Sequence, residues 1–340
     1  MAVEEWSRLL DTAKRRYIAR GLFGDVYELH TRGAWRFVVK QQKHAIDDTT
    51  HRKFNQELAV FALLRRRGAR ASWRCLFVEL LYHRTGVPCS LRTRSRRNYV
   101  EDITTCAELV FPRLGMSLAE WMFNTFIKSR VSVVKAFKDR RIWGVLRQLV
   151  LAHLILFSIG VMHNDLHSGN ALINPASPPR ITVPHAVRSA FKVPVVETLS
   201  NDTPRIVIID FGEATNESVV DKTLLLDEIT YTILTTLQLE PGYTHSSDVD
   251  RILVEGLRSM FPDIHGALLA AHHPVSDPRI IHRYFAVEHP TEFRRVVHDL
   301  ALDINASRFV FPISNIREMM ACSSVQAIVD WVWSCGGGDG

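Results

Sequence analysis

The chain has 340 residues, 46% apolar and 23% charged, which places it among globular proteins and outside the disordered and collagen-like classes. That length suits one large domain or two modest lobes, each with a sizeable core. A formal net charge of +6 is mildly basic. Much of it lies in two runs, Arg65, Arg66, Arg67 and Arg70, then Arg92, Arg94, Arg96 and Arg97, which suit an acidic or phosphorylated partner.

In chain order, a charged amphipathic stretch predicts a helix over 4–16. "RYIARGLFGDVYELH" and "AWRFVVK" predict two strands, rich in β-branched and aromatic residues. Phe54, Leu58, Phe61 and Leu64 recur at helical spacing in 51–68, with Gly68 as a stop. "RCLFVELLYH" and "CAELVF" predict further strands, separated by a basic, polar segment over 84–102. The beginning is thus a small sheet with one main helix. Ser117 is placed to cap a helix over 118–130, with Glu120 at the capping-box position. A long apolar helix follows over 140–160, then a short strand in "NALIN" and an apolar strand in "RIVIID". The proline-rich 175–204 reads as a surface insertion rather than core. Residues 224–333 are mostly helical in pattern, and the "GGGDG" tail is expected to be mobile.

The five cysteines are odd in number, scattered, and without a C-x-x-C pair. They predict neither a disulfide framework nor a structural zinc site, and they suit a reducing compartment. "MAVEEWSRLL" carries acidic residues and no long apolar region, so no signal peptide is expected. The most apolar run, 149–162, contains His153 and is short for a membrane span, so none is expected.

Four separated features carry chemistry. Gly21 and Gly24 sit in a strand-turn-strand, where glycines let backbone amides approach phosphates; Val26 follows. Lys40 ends "FVVK" as a point charge for phosphate oxygens, and Glu57 on the next helix is placed to hold it extended. "HNDLHSGN" supplies Asp165 and Asn170, and "IIDFGEA" puts Asp210 at the end of an apolar strand. A carboxylate and an amide oxygen are hard ligands suited to Mg²⁺ carrying a nucleotide's phosphates.

In this order the features resemble the protein-kinase signature set of Gly-rich loop, strand lysine, helix glutamate, H-R-D-x-x-x-x-N loop and D-F-G. The resemblance covers 17–238. It implies an α+β, bilobal protein-kinase-like fold. A small β-rich N-lobe would occupy 1–111, a hinge 112–116, a larger helical C-lobe 117–335 with an insertion at 175–204, and a tail 336–340.

The implied activity is Mg-ATP-dependent phosphoryl transfer to Ser/Thr hydroxyls of proteins. Asp165 is then the catalytic base, Asn170 and Asp210 the Mg²⁺ ligands, and Lys40, braced by Glu57, the holder of the ATP phosphates. Gly21, Leu22, Phe23 and Gly24 would cover those phosphates. Val26, Val38 and Leu172 would sandwich the adenine, with Phe111 behind it and the Pro112 carbonyl and Leu114 amide facing it. Phe61, His163 and Phe211 match the apolar stack of such enzymes. The setting implied is cytoplasmic or nuclear, within a host cell for a viral chain.

Four departures qualify this. Ala19 replaces the first loop glycine. Asn164 stands where many kinases have arginine, which argues against control by a phosphorylated activation loop. His167 stands where serine/threonine kinases carry lysine, so the acceptor is less defined. No A-P-E follows Asp210; "LLLDEITYTILTTL" arrives almost at once, with Asp227 resembling the aspartate that begins the family's central helix. The nearest alternative is a small-molecule kinase of the aminoglycoside or choline type, which shares "DLHxGN". A pseudokinase scaffold, and a zinc or di-metal hydrolase built on His163, Asp165 and His167, are further alternatives.

Overall fold

Apolar residues at helical spacing make the first element a helix, α1 (Val3–Thr12), which buries Trp6 and Leu10 and leaves Glu4, Glu5 and Asp11 exposed. The Glu5 carboxylate accepts the Ala2 N–H at 2.9 Å, in a first turn whose dipole favours negative charge. The structure, a computed structural model, describes residues 2–20, 24–31, 34–43, 48–69, 71–87, 106–176, 178–216, 221–237 and 311–335. The chain is α+β and divides into two units. One comprises Met1–Ala69, Phe77–Gly115 and Asp210–Ala214; the other comprises Arg70–Leu76, Met116–Ile209 and Thr215–Gly340.

The first unit is built on strands β1 (Lys14–Arg20), β2 (Gly24–Thr31), β3 (Ala34–Lys43), β4 (Tyr82–Val87) and β5 (Cys106–Pro112). They form an antiparallel sheet in the order β1-β2-β3-β5-β4. The helix expected over 4–16 stops at Thr12, because Lys14, Arg15 and Arg16 pair with His30, Leu29 and Glu28. Residues 16–20 and 24–30 fall in two strands, β1 and β2, and 21–23 lie outside the described residues.

Alternation along the strands assigns the faces. Leu29, Val39 and Val110 join Trp6 and Leu10 in one buried cluster beneath α1. On the other face, Val26 lies opposite Lys40, Lys40 opposite Leu109, and Val38 opposite Phe111. That face is covered by α2 (Asp48–Gly68), whose Phe54 packs with Ala107 and Leu109. The sheet therefore carries a helix on each face, the longer being α2.

The strand expected over 74–83 begins differently. Its start is a 3₁₀ turn (Ser72–Leu76), whose three-residue period buries both Trp73 and Leu76, and strand pairing starts only at Tyr82. Arg84, expected in a connecting segment, belongs to β4 and ion-pairs with the buried Glu108 at 2.8 Å; Arg15 approaches the same carboxylate at 2.6 Å. The expectation of no disulfide framework is corrected at Cys106, which is fully buried and disulfide-bonded. An odd cysteine count forbids pairing all five, not pairing two.

In the second unit, the Ser117 hydroxyl accepts the Glu120 N–H at 3.1 Å and starts α3 (Leu118–Met122). The helix expected over 118–130 then widens into a π-helical turn (Phe123–Ile127), which buries Phe126 edge-on to Trp121. After α4 (Val133–Phe137), Asp139 caps α5 (Arg140–Ser158) through the Arg141 N–H at 2.9 Å. This helix is long and apolar enough to cross a membrane by length and composition. It is nevertheless a core helix, with 78% of its apolar window buried. Trp143 on α5 meets Phe311 and Trp331, each at 5.1 Å.

Short strands follow in pairs: β6 (Val161–Met162), β7 (Ala171–Ile173), β8 (Arg180–Thr182), β9 (Val196–Thr198), β10 (Ile206–Ile208) and β11 (Thr215–Asn216). β10 pairs with β7, β11 with β6, and β9 with β8. Among its described residues, the 175–204 segment is mostly exposed but carries elements of its own. It holds β8, α6 (His185–Ala190) and β9, and it buries Ile181, Val183, Val187, Phe191 and Leu199. Pro184 stands at the start of α6, which buries Val187 and leaves His185, Ala186, Ser189 and Ala190 exposed. The helical remainder is described at α7 (Lys222–Leu237), α8 (Ile313–Met320) and α9 (Val325–Cys335). Residues 238–310 and the tail 336–340 lie outside the described residues.

Candidate active site

Lys40 is the first anchor. It projects from β3 onto the α2 face, and its Nζ lies 3.1 Å from Glu57 Oε2 and 2.6 Å from Asp210 Oδ1. Gln42, two residues on and so on the same face, donates to Glu57 Oε2 at 2.7 Å. Burial works against the lysine's charge, but Asp210 and then Glu57 outweigh it and raise its pKa above the ordinary value. Burial also pushes the Glu57 carboxyl up, against the pull of Lys40. An ammonium held by two carboxylates keeps its proton, so the cation is the fixed point of this cluster.

Asp210 sits in a strained conformation, with φ of 59° in a region that non-glycine residues seldom adopt. Phe211, fully buried, meets Phe61 edge-on at 5.3 Å and Phe77 at 6.3 Å. Glu213 pairs with Lys53 of α2 at 2.6 Å. The 210–214 segment thus belongs with the first unit although the residues on both sides of it belong to the second.

The 163–170 loop is organised within the second unit. His163 is fully buried, its Nε2 bonded to the Ile209 carbonyl at 3.1 Å, and the Ile209 N–H donates to the Asn170 carbonyl at 2.9 Å. Asn164 has φ of 61°; its amide reaches Thr215 Oγ1 at 3.1 Å, and its backbone N–H donates to Glu228 of α7. Glu228 also lies 3.6 Å from His153, whose Nε2 bonds Thr232 Oγ1, and that hydroxyl donates to the Leu166 carbonyl at 2.8 Å. Burial alone would raise the Glu228 carboxyl, but His153 and the Asn164 N–H outweigh it and hold the pKa below the ordinary value. Asp227, the aspartate singled out in the sequence, is buried beside it, and Glu228 accepts the Asn164 N–H of the loop.

Inside the loop, Asn170 Nδ2 donates to the Asp165 carbonyl at 2.8 Å and to its carboxylate at 3.3 Å. That leaves the amide oxygen of Asn170 as its ligating atom. His167 Nδ1 accepts the Gly169 N–H at 3.0 Å, so the ring folds over a residue that must lack a side chain. A Cβ on Gly169 would meet His167 Cε1 at 2.7 Å.

Of the other candidate residues, Val26, Val38 and Phe111 share the Lys40 face of the sheet. Pro112 ends β5, Leu114 follows it half-buried, and Gly24 opens β2. Leu172 lies in β7 and bridges to Ser117. Gly21, Leu22 and Phe23 lie outside the described residues, as do Arg70, Arg92, Arg94, Arg96 and Arg97. Arg65, Arg66 and Arg67 are exposed at the end of α2.

Among the described residues, no group of three or more His, Cys, Asp or Glu side chains gathers as a metal cage. The Asn170 amide and Asp165 carboxylate in one unit, and the Asp210 carboxylate in the other, offer hard oxygens rather than soft ligands. Burial pushes the Cys75 thiol up to about 11, which removes it as a nucleophile at neutral pH.

No known family model matches the chain. No curated protein matches it. Sequence reasoning missed Lys53, Glu213 and Glu228; the four-residue spacing of Lys53 and Glu57 on a predicted helix was the available signal for the first.

Proposed function

We propose that the chain is a Mg-ATP-dependent phosphotransferase of protein-kinase-like, bilobal construction, acting on Ser/Thr hydroxyls of proteins. The observation that carries this reading is Lys40, a buried ammonium held by Glu57 and Asp210, three groups drawn from distant parts of the chain. A lysine positioned in this way is a fixed cation for phosphate oxygens. Asp210 and the Asn170 amide oxygen would hold Mg²⁺, which when bound neutralises phosphate charge. Asp165, held by Asn170, orients the acceptor hydroxyl and takes its proton. Val26, Val38, Phe111 and Leu172 supply apolar surface for a base. The exposed Arg65, Arg66 and Arg67 suit an acidic or phosphorylated partner.

A second reading, transfer to a small-molecule hydroxyl, is favoured by one feature: α7 begins at Lys222, a short step after Asp210, which leaves little chain to seat a peptide. Radiolabelled ATP offered beside a peptide array and a panel of small hydroxyl acceptors separates the two. Label on peptides, lost in Asp165→Asn, is expected. Label on small molecules alone transfers the assignment to the second reading, and equal labelling by parent and variant sinks both.

A further inference from the structure

Lys53, Glu57 and Phe61 recur every four residues on α2 and so form one stripe of that helix. Each engages the 210–214 segment directly or through one partner. Phe61 takes the ring of Phe211, Glu57 shares Lys40 with Asp210, and Lys53 pairs with Glu213. The first two engagements concern groups already assigned to nucleotide handling or core packing. The third has no part in either.

We infer that the Lys53–Glu213 ion pair is a positioning latch that holds Asp210 in register with Lys40. Asp210 keeps a left-handed backbone, which persists only where its surroundings over-determine it. Gly212, between Phe211 and Glu213, has no side chain with which to hold the segment, and Thr215 departs into β11 of the other unit. Glu213 is therefore the anchor on the far side of Gly212, as Asp210 is on the near side. Both members of the pair are about a quarter exposed, 25% and 26%, so the contact is partly desolvated yet open to salt and solvent. Such a pair holds position without locking it. The catalytic consequence of the latch rests on the phosphotransferase reading; its structural consequence does not.

The test is a charge-reversal cycle of Lys53→Glu, Glu213→Lys and the double reversal, with Lys53→Arg as the conservative variant. Each single reversal is expected to lower kcat at saturating Mg-ATP about fivefold and to speed amide exchange across 210–214, with the melting temperature nearly unchanged. The double reversal and Lys53→Arg are expected to return both readouts to within about twofold of the parent. Single reversals that match the parent in both readouts overturn the latch, as do losses that the double reversal fails to recover. Exchange needs no nucleotide. A parent protein without transfer would end the functional reading while the exchange cycle still decides the latch.

Discussion

The two carboxylate-bearing segments are held in place by different physics. The 163–170 loop is secured by short-range hydrogen bonds inside one unit: Glu228 on the Asn164 N–H, Thr232 on the Leu166 carbonyl, Asn170 on Asp165. The 210–214 segment is secured by charge, Lys40 on Asp210 and Lys53 on Glu213, with Phe211 buried between them. Buried hydrogen bonds fix geometry and resist salt, whereas partly exposed ion pairs can be exchanged for other ions. Under the proposed phosphoryl transfer, Asp165 would be held rigid as the base and Asp210 would exchange Lys40 for a metal ion.

The sharpest way to break this comparison is at Asp165. Replacing it by asparagine preserves the loop's shape and is expected to cut transfer roughly a hundred- to ten-thousand-fold, while Mg-ATP still raises the melting temperature. Retained binding with lost turnover in steady-state assays is the signature; turnover within a few-fold of the parent would refute a base at this position.

Next in size is Glu228→Ala, which strips the acceptor from the Asn164 N–H and leaves His153 facing a void. Urea unfolding should show a loss of about 2–4 kcal/mol. No comparable change is expected when salt is raised, which should instead speed exchange at 210–214.

A smaller effect is expected from Gly169→Ala, about 1–2 kcal/mol, since the His167 ring must swing away and give up the Gly169 N–H. Adding His167→Ala should recover part of that loss, as read from the same unfolding curves.

The smallest effects at neutral pH come from titration, and they separate the segments by sign. The pKa of Glu228 is lowered, so its contribution is full above the unfolded value near 4.3 and lost as pH falls through the lower folded one. Lys40 is raised, so its contribution is full below about 10.4 and lost only as pH rises through the higher folded value. Exchange corrected for its intrinsic pH dependence should therefore open 163–170 first in acid and 210–214 first in alkali.

Much of this was legible in the sequence, because the features that carry it are local or periodic. The stripe of Phe54, Leu58, Phe61 and Leu64 gave α2, "FVVK" placed Lys40 on a strand, and Ser117 announced its helix. Features that depend on tertiary partners were not legible. Where the helix expected over 4–16 gives way to β1 is decided by strand pairing, and which apolar side chains of 175–204 are buried by what packs onto them. Glu228 accepts the Asn164 N–H, a contact set by how α7 packs, which no motif specifies. Lys53 and Glu213 are 160 residues apart, and only the folded chain brings them together.

The assignment of Asp210–Ala214 to the first unit also bears on how the chain is made. A ribosome delivers the five strands of the sheet and α2 by residue 112, yet Asp210, Phe211 and Glu213, which engage Lys40, Phe61 and Lys53, emerge about a hundred residues later. Until then Lys40 lacks Asp210, and Phe61 has Phe111 but not Phe211. The smaller unit is thus the first begun and among the last finished. A fragment ending at Gly115 would lack the contacts that Asp210, Phe211 and Glu213 bring to the sheet and α2.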